Sequence, residues 1–136
     1  MKKLVTSFAG TLVVDADGLF ALKEENVRLA TCPGRLILTP HVGEFAHLTG
    51  LSPAEIEERR IDAAIRFAVD NHVVLVLKGA PTVTAMPDGS AFVNFTGNLH
   101  GLAGDLAAEK TPVGYRASDL AELVPAARAE VMKTGR

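Results

Sequence analysis

The sequence is poor in cysteine and in aromatic residues, and both shortages restrict what the protein can be. Its single cysteine, Cys32, excludes an intramolecular disulfide and a metal site built from several cysteines. Aromatic residues make up only 5% of the chain, whereas hydrophobic residues make up 48%. We therefore expect a core of alanine, valine, leucine and isoleucine, which suits helices packed on a sheet. The length of 136 residues predicts one domain, residues 1–136.

The sequence also lacks a basic cluster and a long apolar run. Its formal net charge is -2, with both signs interspersed, so we expect no nucleic-acid partner. No segment approaches the ~20 apolar residues of a membrane span. The apolar stretch after Lys2 and Lys3 is broken by polar residues and has no clean cleavage site. We predict a cytoplasmic protein without a membrane partner, whose first residues form a strand or an irregular lead-in.

Three short apolar runs predict strands of a parallel sheet: Leu12 to Val14, Leu36 to Leu38, and Val73 to Leu77. Because the runs do not alternate with polar residues, we expect them to be buried on both faces. Helices are expected over residues 19–25 and 44–48. Residues 82–85 and 91–95 flank a Pro-Asp-Gly turn and predict an antiparallel hairpin. These elements indicate a three-layer α/β fold, with a mostly parallel sheet and an edge hairpin.

The segment Ser52-Pro53-Ala54-Glu55 predicts the start of a helix. Ser52 and Glu55 can form reciprocal side-chain to backbone hydrogen bonds, and proline is favoured at the first helical position. The buried stripe of this helix is expected at helical spacing, on Ile61, Ala64, Ile65 and Ala68. Further helices are expected over residues 102–108 and from a cap at Ser118 to about residue 132.

Polar or glycine-bearing segments follow the three predicted strands: Asp15 and Asp17, His41 and Glu44, and Lys78 and Gly79. Because the carboxyl ends of neighbouring parallel strands share one sheet edge, we expect these residues to converge. Together they suit a phosphorylated ligand with a divalent cation. Each residue taken singly also fits a structural role, such as a helix cap, a first-turn carboxylate or a turn.

Four ordered segments resemble those of a known family: VVDADGL at 13–19, LTPHVGEFAHL at 38–48, VLKGAPT at 76–82 and TGN at 96–98. They are similar to the Asp-Ala-Asp-Ala-Leu, Thr-Pro-His-Pro-Gly-Glu, Lys-Gly-Ala-x-Thr and Thr-Gly-Asn segments of the ADP- or ATP-dependent NAD(P)H-hydrate dehydratases. Val42 replaces the usual proline. The resemblance covers the chain from about Leu12 onward and implies a partial ribokinase-like fold.

The resemblance implies roles for two groups of residues. His41, Val42, Gly43 and Glu44 would bind the hydrated nicotinamide, and Glu44 stands where ribokinase-like enzymes organise metal-bound water. Lys78, Gly79, Ala80, Pro81 and Thr82 would bind the nucleotide. The implied reaction converts the S epimer of NAD(P)HX to NAD(P)H with ADP or ATP and Mg2+, through attack of the ring hydroxyl on the terminal phosphoryl group. No residue is assigned to a resident metal site.

The sequence departs from the family after Asn98. The family continues there into a glycine-rich loop ending in Gly-x-Gly-Asp, which supplies the anion hole and the catalytic carboxylate. Here Asn98 runs directly into LHGLAGDLAA, which resembles a later family helix. We therefore predict a shortened member without this loop and without the N-terminal family units. Asp105 is a candidate catalytic carboxylate, although an aspartate is favoured at a helix start in any case.

Three functions stay open at this stage. The first is a dehydratase that works despite its deletions. The second is an inert nucleotide-binding remnant or scaffold, and the third is a ribokinase-like small-molecule kinase, such as the pyrimidine or thiazole kinases of thiamin synthesis. His41, in place of an asparagine-type metal motif, argues against the kinase. We also expect a homo-oligomer, because the apolar strand Val73 to Leu77 needs cover on both faces that the missing units do not supply.

Overall fold

The computed structural model describes residues 1–94, residue 106 and residues 117–134. It comprises two compact units, Met1–Asn94 and Phe95–Arg136. The single domain expected over residues 1–136 stays a prediction. The helices of the first unit are α1 (Lys2–Ser7), α2 (Asp17–Glu24), a 3-10 turn (Leu29–Thr31), α3 (Val42–Thr49), α4 (Pro53–Glu58) and α5 (Arg60–Asn71). Its strands are β1 (Thr11–Val14), β2 (Arg35–Leu38), β3 (Val74–Leu77), β4 (Thr82–Ala85) and β5 (Ala91–Asn94). The second unit contains α6 (Ala117–Thr134), which includes Pro125.

The five strands form one sheet in the order β1-β2-β3-β4-β5. β1, β2 and β3 are parallel, with Leu38 paired to Val14 on one side and to Leu75 on the other. β4 and β5 form an antiparallel hairpin at the edge, which confirms that prediction. One crossover connects β1 to β2 through α2, and the next connects β2 to β3 through α3, α4 and α5. Connections between parallel strands are right-handed, and both of these cross the sheet in the same direction. The helices of the two crossovers therefore lie on one face of the sheet.

The core of the first unit lies between this sheet face and the helices. Its members are aliphatic, as the composition predicts, with one phenylalanine among the largest: Leu19, Leu36, Leu38, Phe45, Ile56, Leu75, Leu77 and Val83. Alternate strand residues point to the opposite face. On that face Val13 is 60% exposed and Phe92 is 68% exposed. The expectation that β1 is buried on both faces is therefore wrong, because Val13 lies on the edge strand and faces away from the helices.

The predicted helix start at Ser52 is confirmed. Ser52 Oγ accepts the N–H of Glu55 at 3.3 Å, and Glu55 Oε2 accepts the N–H of Ser52 at 2.8 Å. The helix does not continue as one piece, because Arg59 adopts φ -128° and ψ 39° and separates α4 from α5. The buried residues of α5 are Arg60, Ala64 and Ala68. The expectation that Ile61 belongs to the buried stripe is wrong, since Ile61 is 43% exposed.

The chain termini also differ from expectation. Residues 2–7 form α1 instead of a strand or an irregular lead-in, and the Thr6 and Ser7 hydroxyls donate to carbonyls one turn earlier. Ser118 lies inside α6 and is not its N-cap. The expected helix over 102–108 falls, apart from residue 106, outside the described residues. None of the described helices is long and apolar enough to cross a membrane, and the cytoplasmic location stays a prediction.

Candidate functional site

The start of α3 carries His41 and Glu44 in a reciprocal cap. His41 Nδ1 accepts the N–H groups of Gly43 at 3.0 Å and Glu44 at 3.2 Å, and Glu44 Oε2 accepts the N–H of His41 at 2.8 Å. An Nδ1 atom that accepts these bonds carries no proton, so the neutral ring presents an N–H at Nε2. The imidazole is largely exposed, and its Nε2 lies 3.4 Å from Glu44 Oε1, so a ligand that accepts this N–H would share it with that carboxylate. Glu44 itself is buried.

Gly43 makes the position of the His41 ring possible. A Cβ added at residue 43 would lie 3.0 Å from Cε1 and 3.2 Å from Nδ1 of the imidazole. Contacts this short would push the ring away from the backbone N–H groups that it caps. The glycine in the Thr-Pro-His-Val-Gly-Glu segment therefore has a packing reason, close approach of a side chain to the helix backbone.

Lys78 links the ends of three strands. Its backbone N–H donates to the carbonyl of Pro40 at 2.8 Å, which extends the pairing of β2 and β3 as a bridge between His41 and Lys78. Its Nζ donates to Asp15 Oδ1 at 2.9 Å and lies 3.9 Å from Glu44 Oε2. The structure thus brings together Asp15, His41, Glu44 and Lys78, as expected from parallel strands that end at one sheet edge.

The charges of this cluster restrict what can bind to it. The hydrogen bond from Lys78 lowers the pKa of Asp15, and the backbone N–H of Ala16 and the Thr39 hydroxyl act in the same direction. By formal charge, the carboxylates of Asp15 and Glu44 face a single ammonium group, that of Lys78. A polyphosphate would need a divalent cation to approach this cluster, and two carboxylates suit Mg2+ that keeps phosphate and water ligands. In the described residues no three His, Cys, Asp or Glu side chains form a metal-binding group of their own.

Asp15 is followed by a strained turn that starts α2. Ala16 has φ 48° and ψ -124°, and the N–H of Gly18 donates to the carbonyl of Asp15 at 3.0 Å. These values fit the first central position of a type II′ turn, which glycine normally occupies. The strained backbone lies directly beside the Asp15 carboxylate, and such strain is commonly found at functional sites. Asp17, the other acidic residue predicted at this edge, is the first residue of α2.

The loop from Lys78 to Thr82 follows β3 and contains a cis peptide bond between Ala80 and Pro81. Thr82 Oγ1 donates to the carbonyl of Gly79 at 2.9 Å and closes the loop. Gly79 has φ 153°, and a Cβ there would lie 2.6 Å from Arg60 Nη1. Arg60, a buried residue of α5 that also donates to the Lys78 carbonyl, is a part of this site that sequence reasoning missed. Arg60 lies one turn before Ala64 on the buried face of α5, but a charged residue is not counted in an apolar pattern.

Two features of the predicted site lie outside the described residues. They are Asp105, the candidate catalytic carboxylate, and the Thr96-Gly97-Asn98 segment. Their roles stay predictions.

Comparison with known proteins supports the resemblance. A family model described as NAD(P)H-hydrate dehydratase matches residues 1–104. The bifunctional NAD(P)H-hydrate repair enzyme Nnr of Moorella thermoacetica is 45% identical over 98 residues, covering 72% of this chain and 18% of that protein. The protein of the same name from Thermofilum pendens is 34% identical over 142 residues, covering 79% of this chain and 27% of its own length. The chain therefore spans less than a third of either relative.

The Thermofilum pendens alignment also bears on the predicted deletion. It is 142 residues long, although only 79% of this 136-residue chain takes part in it. The relative therefore has residues within the aligned region that this chain lacks, and the loss of the glycine-rich loop stays a prediction.

A solved structure confirms the predicted α/β fold. It is the ADP/ATP-dependent NAD(P)H-hydrate dehydratase from Bacillus subtilis co-crystallized with ATP/Mg2+, which matches with a TM-score of 0.59 and 24% identity. The match covers 93% of this chain and 57% of that structure. With the family model matching most of the sequence and the motif residues meeting at one sheet edge, the chain belongs to the NAD(P)H-hydrate dehydratase family.

Proposed function

We propose that this chain acts in the nucleotide-dependent dehydration of the S epimer of NAD(P)HX to NAD(P)H. The observation that carries the proposal is the meeting of His41, Glu44 and Lys78 at one sheet edge, in a chain of the dehydratase family. The related Bacillus subtilis enzyme is named as ADP/ATP-dependent and was co-crystallized with ATP/Mg2+.

In this proposal the two groups of residues serve different ligands. His41, Val42, Gly43 and Glu44 bind the substrate, with the Nε2–H of His41 as a donor to a ring substituent. Residues 78–82 bind ADP or ATP, with Lys78 as the counter-ion of a phosphate and Gly79 allowing backbone approach. Asp15 and Glu44 would hold Mg2+, whose chemistry is to neutralise phosphate charge during transfer.

A second function is favoured by the internal shortening of the chain. A relative has residues within the aligned region that this chain lacks, and after Asn98 the sequence departs from the family where the glycine-rich loop is expected. Loss of a positioned anion hole typically costs at least ~100-fold in rate. We therefore expect a nucleotide-binding protein with very weak catalysis, unless Asp105 takes over the role of the missing carboxylate.

The two functions are separated by measuring binding and turnover on the same sample. Turnover of S-NADHX with ADP and Mg2+ is followed at the absorbance of the reduced nicotinamide, and ADP binding by calorimetry. We expect measurable ADP affinity that Lys78→Ala reduces by roughly tenfold or more, with Lys3→Ala on the exposed face of α1 as the matched control. An affinity that Lys78→Ala leaves unchanged contradicts the assigned loop, and ordinary turnover contradicts the inert alternative. If turnover is ordinary, its loss in Asp105→Ala identifies Asp105 as the replacement carboxylate.

We also propose that the chain forms a homo-oligomer through the sheet face opposite the helices. Its support is the exposure of Val13 and Phe92 on that face and the position of β1 at the sheet edge. Exposed apolar patches and edge strands both favour association.

A further inference from the structure

Arg60 is a buried charge whose hydrogen-bonding partners lie on two different elements. Its side chain is only 7% exposed, at a core-facing position of α5 shared with Ala64 and Ala68. Nε donates to Glu57 Oε2 at 3.1 Å and Nη2 donates to Glu57 Oε1 at 2.5 Å, a two-pronged pairing. Nη1 donates to the carbonyl of Lys78 at 3.3 Å. Burial of a guanidinium carries a desolvation penalty that only such pairing offsets. If the residue served packing alone, an apolar side chain would fill the position without that penalty.

The guanidinium also fits against Gly79. A Cβ at residue 79 would lie 2.6 Å from Nη1, 2.7 Å from Nη2 and 2.9 Å from Cζ of Arg60. The charged group thus fills the space that any side chain at residue 79 would need. Loop backbone and guanidinium are in mutual contact, and each limits where the other can move.

These contacts fix the backbone of Lys78 on both sides. Its N–H is held by the carbonyl of Pro40, and its carbonyl is held by Arg60. With both polar groups engaged, the direction of the side chain is restricted, and the ammonium reaches Asp15 and lies near Glu44. A lysine ammonium on a four-carbon stem otherwise has many rotamers to lose on binding a phosphate.

We propose that Arg60, oriented by Glu57, is a positioning residue for the nucleotide-binding loop, because it holds the Lys78 carbonyl and packs on Gly79. The inference rests on the proposed nucleotide-binding role of Lys78. Its effect is on binding and not on chemistry, since its contacts with the Lys78 carbonyl and with Gly79 orient the Lys78 side chain, which is the group proposed to meet the nucleotide. Lysine replaces it poorly. The planar guanidinium pairs with both carboxylate oxygens of Glu57 and also donates to the Lys78 carbonyl, whereas a single ammonium group cannot make all three bonds in this geometry.

The first test is ADP titration of the full chain by calorimetry, in the presence of Mg2+. Arg60→Met is expected to weaken ADP binding by roughly 10- to 100-fold, and Arg60→Lys by less. The matched control is Arg66→Met on the same helix, where Arg66 is 84% exposed and lies 3.7 Å from Asp70. It is expected to change the affinity by about twofold at most.

A double-mutant cycle separates positioning from general stability. If Arg60 acts through Lys78, Arg60→Met adds little further loss of ADP affinity in a Lys78→Ala background. If Arg60 only stabilises the fold, its penalty is the same in both backgrounds, and that result overturns the proposal. Should Arg60→Met fail to fold, Glu57→Gln replaces it in the cycle, because Glu57 is exposed while its carboxylate orients the guanidinium.

A measurement without nucleotide distinguishes the failure of this inference from that of the proposed function. The amide hydrogen exchange of Lys78 and Gly79 is compared among the wild type, Arg60→Lys, Glu57→Gln and Arg66→Met. Faster exchange at these two amides in the Arg60 and Glu57 variants alone supports positioning, even if the wild type binds no ADP and the proposed function fails. Unchanged exchange and unchanged ADP affinity in those variants overturn the proposal.

Discussion

Asp15 and Lys78 are 63 positions apart in the chain, yet their side chains form an ion pair at 2.9 Å. β1 and β3 both border β2 and run parallel to it, so their last residues end at the same edge. A residue that follows a parallel strand therefore meets the residues that follow the neighbouring strands. This geometry lets single charged residues from distant motifs act as one group.

The ion pair should be visible in the titration of Asp15. Because the hydrogen bond from Lys78 lowers its pKa, the stabilisation is present above the ordinary value of 3.8 and is lost as the pH falls through the lowered pKa. In Lys78→Met we expect the pKa of Asp15 to rise toward the ordinary value, measured by carboxyl 13C NMR. Asp88, whose pKa is lowered by Ser90 instead, is the internal control and should not move. An Asp15 titration that is the same in both proteins would contradict the ion pair.

Gly43→Ala should disturb the His41 ring with little effect on stability. The added Cβ would come within 3.0 Å of the imidazole, so the ring leaves the backbone N–H groups that it caps. Loss of the cap costs about 1 kcal/mol, and the gain in helix propensity from glycine to alanine is about 1 kcal/mol. We expect a nearly unchanged free energy of unfolding, measured in urea.

The displaced ring should also change its tautomer balance, measured by 15N NMR of His41. In the wild type the Nε2–H tautomer dominates, and in Gly43→Ala the other tautomer becomes populated. A ring whose 15N shifts do not change would contradict the packing role of this glycine.

At the scale of elements, the helix start at Ser52 offers the clearest test. Ser52→Ala removes one half of a reciprocal cap and should lower the free energy of unfolding by about 1 kcal/mol. Ser7→Ala in α1 is the matched control, because the Ser7 hydroxyl donates to the Lys3 carbonyl inside a helix, where such a bond adds little. Urea unfolding followed by circular dichroism measures both. Equal losses in the two variants would contradict the capping role.

Local signals explain which elements could be predicted from the sequence. The Ser-Pro-Ala-Glu segment defines the start of α4, and Gly50 with φ 81° ends α3 as expected of a glycine stop. α1 was missed because its Val5, Thr6 and Ser7 are poor helix formers, and Val5 is held by burial in the core. This helix is stabilised by the packing of Val5 in the core, a contact that the local sequence does not reveal.

In the candidate site, too, some features could be predicted from the sequence and others could not. The meeting of Asp15, Glu44 and Lys78 follows from the order of parallel strands, which the sequence pattern supplies. Arg60 lies on the buried face of α5, one and two turns before Ala64 and Ala68. Apolar periodicity could not identify Arg60, because the pattern counts apolar residues only and a charged residue on the buried face does not contribute to it.

At the scale of the whole molecule, the sheet face opposite the helices determines the expected assembly. Phe92 lies in a cross-strand row with Thr84 and Val76, and it is 68% exposed. If copies of the chain associate through this face, Phe92→Ser should lower the mass measured by light scattering at micromolar concentration. Leu51→Ser, which removes an exposed leucine between α3 and α4, is the control and should leave the mass unchanged. A monomeric wild type would contradict the proposed homo-oligomer.

Glu44 connects the two sides of the proposed site through one carboxylate. Its Oε2 accepts the N–H of His41 and lies 3.9 Å from Lys78 Nζ, while its Oε1 lies 3.4 Å from His41 Nε2. Ligands bound at His41 and at Lys78, as proposed, would therefore interact with the same carboxylate, and the affinity for each would depend on whether the other is bound. By thermodynamic reciprocity the factor is equal in both directions. In calorimetric titrations of one ligand with and without the other, each should change the affinity for the other, and Glu44→Gln, which keeps the shape and removes the charge, should reduce this coupling.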